Sequence, residues 1–380
     1  MSHQDLIAEA PSVQTAERMK YLRLYGTNSL AYSSFQVGMK SYGELGCGYI
    51  AFVPIGKETP LCLADPICEN SNVEHLLKAF VCRYDYPIFI GVSKPVATVL
   101  SGMGFLVNEI GMENIINLRQ FALSGGDKAF LRSQKNRAAK DGLVVKEMSC
   151  LEAGLERMHS VSDEWMRSKV VSSKEMSFIV RPVVYADEPD VRKLFAFRQD
   201  ELVGFGVFDP MYRDGAVIGY LANALRFVGK QHYSVADTII MEGIRLFKQE
   251  QREILSLGFL PLYKVEDGEE FSHSVLLEWI FRYLYEHANT LYEFKDLAFH
   301  KNRYRPGTAG CNAIKVYCAY KRPIRFHLLP SIFAAFGVSF IDQLKVELLH
   351  YLCSKVTSTE EREPPLLPQD QPHSVPAQRA

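Results

Sequence analysis

Between Tyr21 and Tyr320 the apolar positions alternate between short unbroken runs and runs with helical spacing. GCGYIAFVPIG (46–56) and PLCLADP (60–66) read as strands, and Asp65-Pro66 breaks the second. Leu76, Leu77, Phe80, Val81 and Tyr84 then fall on one helical face across 74–84. Residues 87–92 form a strand, and Ser93 opens a helix with Pro95 in its first turn that closes at Gly104. Residues 105–111 and 114–118 are again strand-like. Strand, helix, strand, helix, strand is an α/β unit.

The second half repeats that outline without a residue-level repeat. Ser149 opens this second set, with Glu152 three residues on and Leu155, Met158 and Val161 following. Residues 194–197 and 202–208 read as a hairpin, and VIGYLANALR (217–226) as a further strand ending in Asn223 and Arg226. Residues 234–262 follow, and the rest of the chain is organised around them. Ser234 and Asp237 cap a helix whose Ala236, Ile240, Ile244 and Phe247 recur at helical spacing. After a polar break at 249–253 comes the short apolar strand 254–258. Gly258 permits close backbone approach and Pro261 ends ladder donation, so this strand is expected to stop at a cleft near Gly258. Later, 273–287 is a helix with Leu276, Ile280 and Leu284 inward, 291–307 interleaves aromatic and basic residues, and 313–320 is a late strand. In 330–354, Ile341, Leu344, Leu348 and Leu352 form an amphipathic stripe, with Phe333, Phe336 and Phe340 before it able to meet a lipid surface. The expected division is a disordered 1–20, α/β domains at 21–145 and 146–322, amphipathic helices at 323–355 and a disordered tail at 356–380.

Composition changes this picture little. Of 380 residues, 47% are hydrophobic and 23% charged, as in a globular chain long enough for two cores. A net charge of −1 supplies no global attraction to nucleic acid or anionic membrane, so any basic surface is local. The eight cysteines include no CxxC pair and read as buried free thiols rather than a disulfide framework. The N-terminus lacks a signal-peptide core, and no apolar run reaches the roughly 18 residues of a membrane span. A cytoplasmic location is expected.

One local basic surface stands out. GGDKAFLRSQKNRAAKDGL (125–143) carries Lys128, Arg132, Lys135, Arg137 and Lys140, either as a solvated flank or as a track for phosphates.

Five stretches taken together resemble a known family: LADP (63–66), VSKPVATVLSGMGFLVNEIGMENIINL (92–118), LRSQKNRAAKDGL (131–143), ILSLGFLPL (254–262) and LYEFKDLAFHKNRYRP (291–306). Their order and separations are similar to the C-terminal catalytic domain of lysylphosphatidylglycerol synthetases, over about 20–322. That resemblance implies two tandem acetyltransferase-like (GNAT) folds, each a mixed sheet flanked by helices. It implies transfer of an aminoacyl group from charged tRNA to a hydroxyl of a phosphatidylglycerol-like or sterol acceptor, without ATP, metal or other cofactor, and without DNA. Peripheral contact with the inner face of a membrane goes with such an acceptor. The integral membrane flippase domain of many members has no counterpart in the sequence; free-standing relatives exist, and in fungi such domains resemble sterol aminoacylating enzymes.

By resemblance, Asp237 lies near the site and holds the substrate ammonium or accepts a proton; as a cap alone it contributes about 1 kcal/mol. Arg226 has a counterpart at a comparable strand end, next to Asn223. Lys295 and Lys301 match basic positions of the family. With Arg303, Arg305 and the Arg132, Lys135 and Arg137 cluster they are candidates for the tRNA acceptor stem or an anionic head group. Tyr292, Phe294 and Phe299 suit the terminal adenosine. Tyr263, just past the strand end, is placed to donate to an oxyanion, and His300 reads as structural. Two other classes compete: an acyl-CoA-dependent N-acyltransferase, which needs a glycine-rich pyrophosphate turn that SVADTIIMEG does not supply, and a non-catalytic RNA- or lipid-binding module.

Overall fold

The computed structural model describes residues 13–44, 46–55, 59–168, 178–229, 232–266, 270–287, 294–322 and 328–335. In the first half these form α1 (Val13–Tyr25), β1 (Lys40–Glu44), β2 (Gly48–Ile55), β3 (Thr59–Leu63), β4 (Ile67–Cys68), α2 (Val73–Arg83), β5 (Ile88–Val92), α3 (Lys94–Gly102), β6 (Leu106–Asn117) and α4 (Ala129–Lys140). There follow β7 (Leu143–Glu147), α5 (Cys150–Ala153), α6 (Leu155–Ser168), β8 (Arg192–Arg198), β9 (Glu201–Arg213), β10 (Ala216–Phe227), α7 (His232–Gln249) and β11 (Ile254–Pro261). The last are α8 (Val275–His287), α9 (Phe294–Asn302), β12 (Cys311–Tyr320) and α10 (Leu328–Ala335). The amphipathic segment 341–352 and the tail lie outside the described residues, as does Tyr292.

One mixed 12-stranded sheet runs through both halves in the order β1-β2-β3-β5-β12-β6-β11-β10-β9-β8-β7, with β4 on β2. Among the described residues only β3 with β5 and β10 with β11 pair in parallel, and a helix, α2 or α7, makes each crossover. Antiparallel strands leading into one parallel step therefore occur twice, which is the duplicated α/β arrangement expected. The halves are interlocked, because β12, late in the chain, lies between β5 and β6. We propose that 21–145 and 146–322 are the paired units, joined where β6 meets β11.

The apolar pattern sets which face each strand buries. On β11, Leu255 and Leu257 pack with Leu131 of α4 and Ile239, Ile240 and Phe247 of α7. Past Gly258 the face changes: Phe259 joins Leu277 and Phe281 of α8 and Ile332 of α10. The extra residues fall between Ser256, opposite Ile115 of β6, and Phe259, opposite Glu113. β11 therefore does not stop at Gly258; the glycine, at φ +82°, absorbs a bulge and pairing resumes to Pro261. Residues 105–118 likewise form one irregular strand rather than two, with Gly111 at φ +140° where Pro261 faces it.

Other expectations also shift. The polar stretch before residue 20 is helical from Val13. Leu276 of α8 is 66% exposed, whereas Leu277 and Phe281 are buried; VLLEWIFRYLY is apolar around most of its circumference, so periodicity does not select its inner face. The helix after β10 begins at His232, which leaves Asp237 inside α7 rather than at its start. A capping box forms instead at Ser149 and Glu152, each side chain bonding the other residue's backbone N–H.

Candidate active site

Parallel pairing of β10 with β11 runs only from Gly219 opposite Ile254 to Leu221 opposite Ser256. Both strands continue, to Phe227 and Pro261, and they splay apart. Lys301 of α9 occupies the point where they part. Its Nζ donates to the Phe259 carbonyl at 2.9 Å. A Cβ on Gly258 would lie 3.2 Å from that Nζ, 3.4 Å from Leu221 Cδ1 and 3.8 Å from the Ala222 carbonyl. Glycine is thus needed twice here, for its left-handed φ and for the lysine's approach.

Beside the bulge, Glu113 is 8% exposed. Its carboxylate accepts from the Ser256 hydroxyl, and Ser29 is a further side-chain partner. Ser256 Oγ in turn accepts from the Gly258 N–H at 2.9 Å. Asp65, from the LADP stretch, accepts from Ser93 N at 2.8 Å and Asn28 Nδ2 at 3.1 Å, holding the start of α3. Burial pushes the carboxyls of Asp65 and Glu113 up. Burial also lowers the Lys301 amine to about 7, although Glu113 opposes that shift. The amine therefore changes protonation state near neutrality.

A second polar cluster lies on the other face. Asp237, fully buried, receives Arg303 Nη1 at 3.2 Å and the Tyr304 hydroxyl at 3.1 Å, with His300 Nε2 at 3.1 Å. Burial, with the Asp237 charge next, pushes the Tyr304 phenol well up. Arg303 lies between two aromatic rings, 4.6 Å from the centroid of Phe130 and 5.0 Å from that of Phe299. Buried Lys128 donates to the Tyr304 carbonyl and, at 3.3 Å, to Thr308 Oγ1, so a cation sits at the C-terminal end of α9. Burial lowers its pKa. α9 and the turn after it link the clusters: Phe294 packs with Phe259 and α8, Tyr304 just past the helix packs with α7, and the consecutive residues His300 and Lys301 reach Asp237 and Gly258.

Of the sequence candidates, Asp237, Arg303 and Lys301 are thus brought to one helix. The others are dispersed. Arg226 stacks on Trp165 of α6, its guanidinium carbon 3.8 Å from the ring centroid. Its neighbours Leu225 and Phe227 pack on the α7 side, so the sheet stands between Arg226 and Asp237. Asn223 clamps the Arg181 backbone, accepting from its N–H at 3.1 Å and donating to its carbonyl at 2.8 Å. Tyr263 packs on Tyr285 of α8 at 5.8 Å. Lys295 is tied to the Glu286 carbonyl and carboxylate. Arg132 holds the carbonyls of Leu123 and Gly125, both at 2.6 Å, while Lys135 and Arg137 stand exposed on α4.

Sequence reasoning missed Glu113, Ser256 and Tyr304, read Lys128 only as part of the basic surface of 125–143, and gave His300 only a structural part. A signal existed for one of them: Glu113 is one of two acids, with Glu109, in the otherwise apolar and amide run of β6. Among the described residues no three His, Cys, Asp or Glu side chains gather as metal ligands would, and no helix is long and apolar enough to cross a membrane. Chemically, the parting of the strands offers an amine near its neutral point and a buried carboxyl coupled to it. That is equipment for moving one proton.

Comparison with known proteins adds to the geometry. The family model described as phosphatidylglycerol lysyltransferase, C-terminal, matches residues 19–320. The phosphatidylglycerol lysyltransferase of Bacillus subtilis strain 168 is 22% identical over 315 residues, 80% of this chain and 34% of that protein. That of Staphylococcus xylosus is 24% identical over 256 residues, 65% of this chain and 29% of that protein. The chain thus spans about a third of the length of the curated relatives it matches. Among solved structures, L-PGS from Bacillus licheniformis superposes with a TM-score of 0.67 at 21% identity, covering 88% of this chain and 99% of the other. The C-terminal domain of a putative lysylphosphatidylglycerol synthetase from Agrobacterium fabrum gives 0.64 at 19%, covering 84% and 93%. At such identities these two likenesses concern the fold.

Proposed function

The chain belongs to the phosphatidylglycerol lysyltransferase C-terminal family, and from that premise we propose that it transfers an aminoacyl group from charged tRNA to a hydroxyl of a lipid acceptor, phosphatidylglycerol-like or sterol. The observation that carries the reading is the Lys301 amine at the parting of β10 and β11, with a pKa of about 7. The acceptor oxygen attacks the ester carbonyl carbon, and its proton passes to neutral Lys301. The tetrahedral intermediate collapses, the bond to the ribose oxygen breaks, and Lys301 returns the proton to that oxygen. An ester is exchanged for an ester, so atoms and charge balance without another reactant. Glu113 tunes the amine. Asp237 is a positioning residue, because it is fully buried behind Arg303 and His300 and acts through them. Arg226 and Tyr263 take no step in this scheme. A lipid acceptor would bring the chain to the cytoplasmic face of a membrane.

The test is incubation of the full chain with labelled aminoacyl-tRNAs and a total lipid extract. Label should enter the organic phase, RNase treatment of the tRNA beforehand should abolish it, and Lys301→Met should lose it. No transfer from any aminoacyl-tRNA, with acetyl transfer from acetyl-CoA instead, overturns the reading in favour of an ordinary acyltransferase.

A further inference from the structure

Residues 178–181 run outside any helix or strand, yet they are buried against the sheet. Phe178 and Ile179, each 6% exposed, belong to the apolar cluster that holds Leu221 of β10, Phe259 of β11 and Phe294 of α9. Two amide side chains, one from each half, hold the segment. Buried Gln36 accepts from the Phe178 N–H at 2.8 Å and donates to the Phe178 carbonyl at 2.7 Å. Asn223 of β10 grips the Arg181 backbone in the same two-way fashion. Side chains thus satisfy backbone groups that a strand would pair with its neighbour. Phe178 sits at φ +95°, which a bulky L-residue adopts only under strain. The two ends of the segment differ. The Arg181 guanidinium is anchored on Asp209, at 2.6 and 3.1 Å, and on Glu188, at 2.8 and 3.3 Å. Phe178 is held by its ring and one glutamine.

Burial is what lowers the Lys301 amine, so the space beside it has to open before an acceptor hydroxyl can reach it. We propose that Phe178–Arg181 is a displaceable strap: the apolar part of the lipid acceptor takes the place of the Phe178 and Ile179 side chains, and the strap swings out about Arg181. Leu221, Phe259 and Phe294 are fixed by a strand ladder or a helix, whereas the strap leaves without breaking either. Its departure releases the strain at Phe178 and uncovers apolar surface, which an apolar ligand covers and a polar head group does not. The stretch that supplies Gln36 also supplies Ser29 to Glu113 and Leu30 to the apolar cluster, so the strap is tied to the group that tunes Lys301. Closed, the strap keeps water from the parting of the strands and so protects an aminoacyl ester from hydrolysis until an acceptor arrives. The inference rests on the proposed function for the identity of the acceptor.

Hydrogen exchange of the full chain, followed by mass spectrometry, tests this with three probes. They are a short-chain phosphatidylglycerol below its micellar concentration, a sterol delivered from cyclodextrin, and glycerol 3-phosphate as a head group without chains. At saturation the phospholipid or the sterol should speed exchange at the Phe178 amide about 10-fold or more, while the Arg181 amide stays slow. The probe that does so identifies the apolar part of the acceptor, and glycerol 3-phosphate should change neither amide. Phe178→Ala should raise the apparent affinity for that probe about 10-fold or more, because the closed strap competes less well. Gln36→Ala keeps the ring but removes both bonds to Phe178, and should raise the affinity roughly 5-fold. Slower or unchanged exchange at Phe178 under a bound lipid, no binding of either lipid, faster exchange with glycerol 3-phosphate, or unchanged affinity in both variants overturns the inference. If label passes from aminoacyl-tRNA to lipid while Phe178 stays protected, the inference fails and the proposed function stands. If lipid opens the strap but no aminoacyl-tRNA supports transfer, the reverse holds.

Discussion

Replacing Lys301 with Met should change how stability depends on pH, whether or not the protein is turning over substrate. In the folded chain the amine has a pKa of about 7 instead of its ordinary 10.5, because burial disfavours the charged form. Between these values the unfolded chain binds one more proton at this site than the folded chain does. Stability therefore rises with pH above 7 and is lost as pH falls toward 7, by up to roughly 1.4 kcal/mol per pH unit. Between about pH 7 and 9 the wild type should gain as much as about 3 kcal/mol relative to Lys301→Met, which keeps the side-chain length but cannot titrate. Urea unfolding of both proteins across about pH 6 to 9, followed by far-ultraviolet circular dichroism, gives the difference directly. The two curves should run parallel below 7 and diverge above it. Curves parallel across the whole range would show that the amine is solvated and charged, and the proposed proton transfer would lose its base.

Two further substitutions probe the surrounding frame. Asp237→Asn keeps the shape but removes the charge facing His300, Arg303 and Tyr304; a loss of about 3 kcal/mol is expected, seen as a fall in Tm of roughly 4–5 °C for a chain of this length, and an unchanged Tm would refute the load placed on that carboxylate. Gly258→Ala forces an L-residue to φ +82° and sets a Cβ 3.2 Å from Lys301 Nζ; a cost of about 1–2 kcal/mol and a fall in Tm of roughly 1–3 °C should appear, together with a smaller pH-dependent gap to Lys301→Met, whereas wild-type melting and pH response would refute the crowding.

Much of the fold was legible because its elements carry clear local signals. α2 and β2 appear close to where apolar spacing puts them, and a helix opens at Ser149, where the second set was expected to begin. What could not be read was whatever depends on contacts between distant segments. β12 separates β5 from β6 although it follows β6 by nearly two hundred residues, and nothing local in Cys311–Tyr320 states which neighbours it takes. Asp237 looked like a cap because Ser234 precedes it at the right spacing, but α7 starts earlier, and the carboxylate serves α9 instead. Arg132 looked like a free cation and is bound to two loop carbonyls. Charge is visible in a sequence; the partner that neutralises it is not.

The same limit explains why Lys295 and Lys301 do different things although one motif presents them together. Six residues apart on a helix, they differ by about 240° of rotation, so they cannot serve one surface. Lys295 turns to Glu286 of α8, and Lys301 to the bulge of β11. His300 and Lys301, about 100° apart, are the pair that the fold uses, one gripping Asp237 on the α7 side and the other filling the gap between β10 and β11. With both contacts made, α9 has a single rotational setting. Lys128 closes the arrangement by holding the Tyr304 carbonyl where the helix ends. The position of the Lys301 amine is therefore fixed from three directions: a buried carboxylate, a buried cation and a glycine that leaves it room. A side chain held that firmly in a gap between strands is unusual for lysine, whose long stem normally carries its charge out to water.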